Sequence, residues 1–175
     1  MKRTTWGAIA GIVIVIVAAG AVLWGFAARA PLPVAAYPPW YATENARGDP
    51  AAADFEAHVP CAIDPAPDAT CQRVKLGLVL YRDAVTGEPS TYVMSIVRVG
   101  VSDEREVRQG RWRVETGMAL DADAAVYRLT DAPSHVGAFW AVGDNLLLLL
   151  DADGMPRVGD AGYSYTLSAV PIRRR

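Results

Sequence analysis

Short runs of alternating apolar and polar residues, cut by turn-forming clusters, fill the chain beyond residue 72 and leave room for little except an all-β fold. In residues 73–81, Val74, Leu76, Leu78 and Leu80 share one face while Arg73, Lys75 and Gly77 share the other. That period of two is the mark of a strand with one face buried. Trp112 and Val114 alternate with Arg111, Arg113 and Glu115 in the same way. Residues 125–129, 138–142, 145–150 and 163–169 continue the series, and in the last Tyr163, Tyr165 and Leu167 oppose Ser164, Thr166 and Ser168. Residues 91–99 are apolar on both faces, so this stretch is expected to lie against something on each side. The leucines at 146–150 are expected to be buried on both faces or to form the strand that closes the sheet. The intervening segments are rich in Gly, Asp, Pro and Ser, residues suited to turns. No stretch after residue 53 keeps helical periodicity over about ten residues. These features predict a small antiparallel up-and-down barrel of about eight strands, closed so that no sheet edge is exposed.

The amino end is different in kind. Residues 6–28 form an uncharged run of 23 residues behind Lys2 and Arg3. As a helix it would span about 34 Å, enough to cross a hydrocarbon core of about 30 Å. Residues 1–30 are therefore expected to provide one transmembrane helix, amino terminus inside, in the inner (cytoplasmic) membrane. The competing reading is a secretory signal cut after Ala28-Arg29-Ala30, which would release the protein into the periplasm. The length of the run and Pro31 beyond the cut favour the anchor. Both readings put the rest of the chain outside the cytoplasm.

Residues 31–53, rich in Ala and Pro, read as an extended linker, with Trp40 and Tyr41 suited either to a headgroup layer or to the domain surface. Residues 54–172 then form one compact domain, and residues 173–175 a basic, solvated tail. Taking Lys2, Arg3 and Arg29 from the 17 basic side chains leaves 14 against 19 acidic ones, a net charge of −5 for the exported part. That balance excludes a surface for nucleic acid or for anionic lipid.

Cys61 and Cys71 are the only cysteines. In an oxidising compartment an even pair is expected to form a disulfide, and Pro65 and Pro67 stiffen the loop between them. The alternative is a soft metal site in which His58, Cys61, Cys71 and Met94 would suit Cu(I). A catalytic thiol pair fits worst, since it calls for C-x-x-C at a helix start. Nothing else supports catalysis: His58 and His135 complete no triad, and neither a nucleophile elbow nor a phosphate loop is present. Asp151-Ala152-Asp153-Gly154 lacks the later glutamate of a calcium loop and reads as a turn. Trp112, Tyr127, Trp140, Tyr163 and Tyr165 are candidates for lining a ligand cavity, although aromatic residues more often fill a barrel core.

The order of these pieces resembles the NlpE family, envelope proteins linked to copper resistance and surface stress. The resemblance is carried by Pro60-Cys61, by residues 76–81 (LGLVLY), by Gly110-Arg111-Trp112, by Tyr127 and by the hydrophobic run from Asp144 to the turn at Gly154. It covers about residues 60–154 and implies a small lipocalin-like barrel in the periplasm that binds or senses rather than catalyses; no cofactor is expected, and the family's link to copper does not carry over directly because of the departures that follow. The chain departs from the family pattern in having Cys61 and Cys71 ten positions apart in place of C-x-x-C, and a peptide anchor in place of a lipid-bearing cysteine. The alternative function is a structural or inhibitory module that contacts other envelope proteins through a solid barrel with no small ligand. The anchor reading predicts that membrane-extracted protein keeps its full mass; loss of roughly the first thirty residues, read by mass spectrometry, would make it a secreted protein instead.

Overall fold

A computed structural model describes residues 40–102 and 104–172. The expected anchor at 1–30, the start of the linker and the tail at 173–175 lie outside the described residues. Among the described residues, no helix is long and apolar enough to cross a membrane.

The strands are β1 (Ala51–Val59), β2 (Arg73–Arg82), β3 (Pro89–Val99), β4 (Glu106–Thr116), β5 (Ala125–Leu129), β6 (Ala138–Val142), β7 (Leu146–Leu149) and β8 (Thr166–Val170). Each pairs antiparallel with the next, and β8 returns to β1 through Asp54↔Val170, Phe55↔Ala169 and Glu56↔Ser168. The result is the closed up-and-down barrel that the alternation predicts. Val74, Leu76, Leu78 and Leu80 point inward from β2, and Tyr92, Met94 and Ile96 do so from β3. They meet Phe55, Trp112, Phe139, Leu147, Leu149 and Leu167 in one continuous core. Eight strands enclose a space that side chains alone can fill, and here they fill it.

Each end of the barrel has its own plug. At one end the β1–β2 and β5–β6 connections contain single 3-10 turns, Cys61–Ile63 and Ser134–Val136. Each turn drops one apolar side chain, Ile63 or Val136, into the core. Arg157, from the β7–β8 connection, donates to the Ala62 carbonyl at 2.6 Å and ties a third loop to this cap. At the other end Trp112 donates its indole N–H to the Tyr81 carbonyl at 2.8 Å. Its ring lies 5.0 Å from Tyr127 and 4.9 Å from the Arg82 guanidinium.

Four local expectations change. The domain begins earlier than residue 54: β1 starts at Ala51, and residues 40–50 fold onto the barrel wall instead of forming a free spacer. Leu147 and Leu149 are internal, and Leu150 is buried on the outside under Met118. Leu146, however, is 37% exposed, so the leucine run is not buried on both faces. The strands that close the sheet are β1 and β8. The last ladder starts only at Thr166, which leaves Tyr163 and Ser164 in the preceding loop.

Cys61 and Cys71 are joined in a disulfide with Cα atoms 6.1 Å apart, stapling the β1–β2 connection below the end capped by the 3-10 turns. Because the bridge closes a short loop, replacing both cysteines by serine is expected to lower stability by about 2–4 kcal/mol, read as a shift of the urea midpoint against the oxidised parent.

Candidate binding site on the outer wall

The residues proposed as metal ligands do not converge. Both sulfurs are used in the Cys61–Cys71 bond. Met94 is fully buried inside the barrel, whereas His58 is exposed on the outer face of β1. Among the described residues no group of three or more His, Cys, Asp or Glu side chains is placed to hold a metal ion. The five aromatic candidates do not line one cavity either. Trp112 and Tyr165 belong to the core, and Tyr127 is half-buried against Trp112. Trp140 packs outside on Val126, Ala138 and Leu150, and Tyr163 sits in a loop.

Two recesses lie outside the barrel, on either side of Trp40. The chain that precedes β1 runs as a strap over the outer faces of β2 and β3. Tyr41 packs with Val79, Tyr81 and Val93, all outward-facing, which accounts for the two-sided apolar character of residues 91–99. The Tyr81 hydroxyl donates to the Ala42 carbonyl at 2.7 Å, and Asn45 donates to Thr91 Oγ1 at 2.8 Å. Asp49, 4% exposed, accepts from Ser90 and Asn45. Those donors, Ser90 first, hold its carboxyl below the ordinary carboxylate range.

Trp40 itself lies over Gly77, in the middle of β2. A Cβ on Gly77 would come 2.6 Å from the indole Cζ2, closer than atoms can approach, so only glycine leaves room for the ring. The Arg105 guanidinium stands 5.5 Å from the ring centre on the Trp40 face and donates to Ser95 Oγ. Ser95 is 2% exposed and therefore a fixed partner. On the first side of Trp40 is a groove of about 360 Å³ lined by Val97 and by the outer main chain of Ala57, Leu76 and Gly77, with His58, Lys75 and Arg105 around it. On the second side a recess of about 530 Å³ separates the strap from the outer wall of β3 and β4 near Val107 and Gln109. Neither feature was singled out from sequence. The usable signal was Gly77, since glycine inside a strand marks a close approach of another group.

The end capped by the 3-10 turns carries a polar network. Arg98 donates to both oxygens of Asp64, at 2.7 and 2.9 Å, and to Glu106 at 2.8 Å. Arg108 pairs with the other oxygen of Glu106. Hydrogen bonds from Arg98 are the main cause that lowers the carboxyl pKa of both Asp64 and Glu106. This two-pronged clamp ties the 3-10 turn after β1 to β3 and β4, so its chemistry is structural.

No family model matches the chain, and no curated protein or solved structure matches it.

The Arg98 clamp has a defined pH signature. Asp64 and Glu106 have folded-state pKa values below their ordinary 3.8 and 4.5. Their stabilisation is therefore present above those ordinary values and is lost as pH falls through the folded ones. The urea midpoint of the parent is expected to drop below about pH 4.5, and Arg98→Met is expected to flatten that drop while lowering stability at neutral pH. Parallel curves for the two proteins would show that other carboxylates govern acid unfolding.

Proposed function

We propose that this chain is a non-catalytic, membrane-tethered barrel facing the periplasm, which recognises another envelope protein through its outer wall and not through a lumen. The observation that carries the reading is the filled interior, with both recesses outside it and sharing Trp40 as their common wall. A carrier of small apolar molecules needs an internal cavity, typically about 300–1,000 Å³, and in this barrel that volume is occupied by Leu78, Met94, Phe139 and Leu147. The apolar run at 6–28 supports tethering, and the Cys61–Cys71 bridge is consistent with a thiol-oxidising compartment. The resemblance to NlpE contributes the envelope setting and a sensing or structural role. Copper has no place in the mechanism, because its candidate sulfurs are bonded to each other and its other candidates lie on opposite faces of the wall.

Recognition then follows from rigidity. The outer wall of β1–β3 is backed by a close-packed core, so a partner meets a preformed surface and little ordering entropy is lost there on binding. Photo-crosslinkers placed at Val97 and Val107, in the two recesses, are expected to capture an envelope protein in intact membranes, whereas one at Val158, 90% exposed and away from the strap, is not. Native mass spectrometry is expected to show no copurifying small molecule. A stoichiometric apolar ligand held by the folded domain would overturn the reading.

A further inference from the structure

The groove between Trp40 and Lys75 is unbalanced in charge. Lys75 and Arg105 border it, against Glu56 alone. Among the described residues no carboxylate lies within ion-pair distance of Lys75 or Arg105. By contrast, Arg98, Arg108, Arg113 and Arg128 are each matched to Asp64, Glu106 or Glu115. Arg105 is also held in place. Its guanidinium stands over Trp40 and donates to the buried Ser95 hydroxyl, which leaves other N–H groups of its fork free to donate. A cation so fixed beside the apolar side chains of Trp40 and Val97 suits a ligand whose negative end meets Arg105 and whose apolar body lies against those two residues. Lys75 sits directly opposite His58 in the β1–β2 ladder, so the second positive group is part of the wall and not on a loop. The volume, about 360 Å³, accommodates the last one or two residues of a chain.

We propose that this groove binds the free C-terminal carboxylate of a partner polypeptide that ends in an apolar residue, with Arg105 and Lys75 receiving the carboxylate and the last side chain lying against Trp40 and Val97. The proposal rests on the outer-wall reading and deepens it. A chain end is the occupant that combines one localised negative charge with an adjoining apolar group in this space. Gly77 has an indirect part, since it permits the Trp40 position that forms one side of the groove.

The test uses the full chain in detergent micelles. Its probes are a short acetylated peptide ending in leucine with a free carboxylate, the same peptide amidated, and acetyl-leucine, titrated by calorimetry. The free-acid peptide is expected to bind at least about tenfold more tightly than either the amide or acetyl-leucine, and Arg105→Gln and Lys75→Gln are each expected to cost about three- to tenfold. Equal affinity for acid and amide, binding of acetyl-leucine as tight as the peptide, or an unchanged affinity in Arg105→Gln would overturn the proposal, as would no binding of the acid peptide. Crosslinking at Val97 and Val107 in Arg105→Gln separates this from the broader reading. Crosslinks retained while peptide binding fails would leave the outer wall as the recognition surface and remove only the chain-end chemistry.

Discussion

The interior of this protein is set by a relation between strand number and width. An eight-stranded closed sheet encloses a space about as wide as the side chains that project into it. The outcome therefore depends on residue size at the inward positions. Here they are large: Leu78 and Leu80 on β2, Tyr92 and Met94 on β3, Trp112 on β4 and Phe139 on β6, all with at most 3% exposure. Close packing of this kind resists deformation. It also moves any recognition chemistry to the outside, where it has to be built from polar faces and added segments.

The added segment is the strap that precedes β1. Outward-facing Val79, Tyr81 and Val93 would leave an apolar stripe on the wall, and Tyr41 covers it. In doing so the strap creates relief on a surface that would otherwise be smooth, with a ring seated on a glycine and an arginine held over the ring. At the end capped by the 3-10 turns the same economy of parts holds. The disulfide, the Arg98 clamp and the Arg157 hydrogen bond each fasten the 3-10 turn after β1 from a different direction. Ile63 is thereby kept in the core.

Most of the barrel could be read from alternation, because strands with one wet face keep a strict period of two. β2 shows this best. β1 was not recognised as a strand because its inward residues Ala53, Phe55, Ala57 and Val59 include two alanines, which carry little hydrophobic contrast, and because Asp54 on the outer face is buried. The disulfide was legible from the even cysteine count together with the expectation of an oxidising compartment. The strap was not, since Ala- and Pro-rich composition describes a linker and a fitted segment equally well, and only the surface it meets distinguishes them. The groove depends on Trp40, Lys75 and Arg105, which are far apart in sequence and are brought together by the strap and the β3–β4 connection. No local pattern announces such a cluster.

Closure by β1 and β8 has a consequence for how the molecule comes into being. Those two strands lie near opposite ends of the domain, and their ladder involves Asp54–Glu56 against Ser168–Val170. A polypeptide synthesised or threaded amino end first must expose β1, and hold one of its flanks unpaired, until β8 has emerged. During that interval the β1 flank is an open invitation to foreign strands. The Cys61–Cys71 bond can form long before then, since both sulfurs appear early and close together in the chain. It would give the first hairpin a covalent hold while the remainder of the ring is still being delivered.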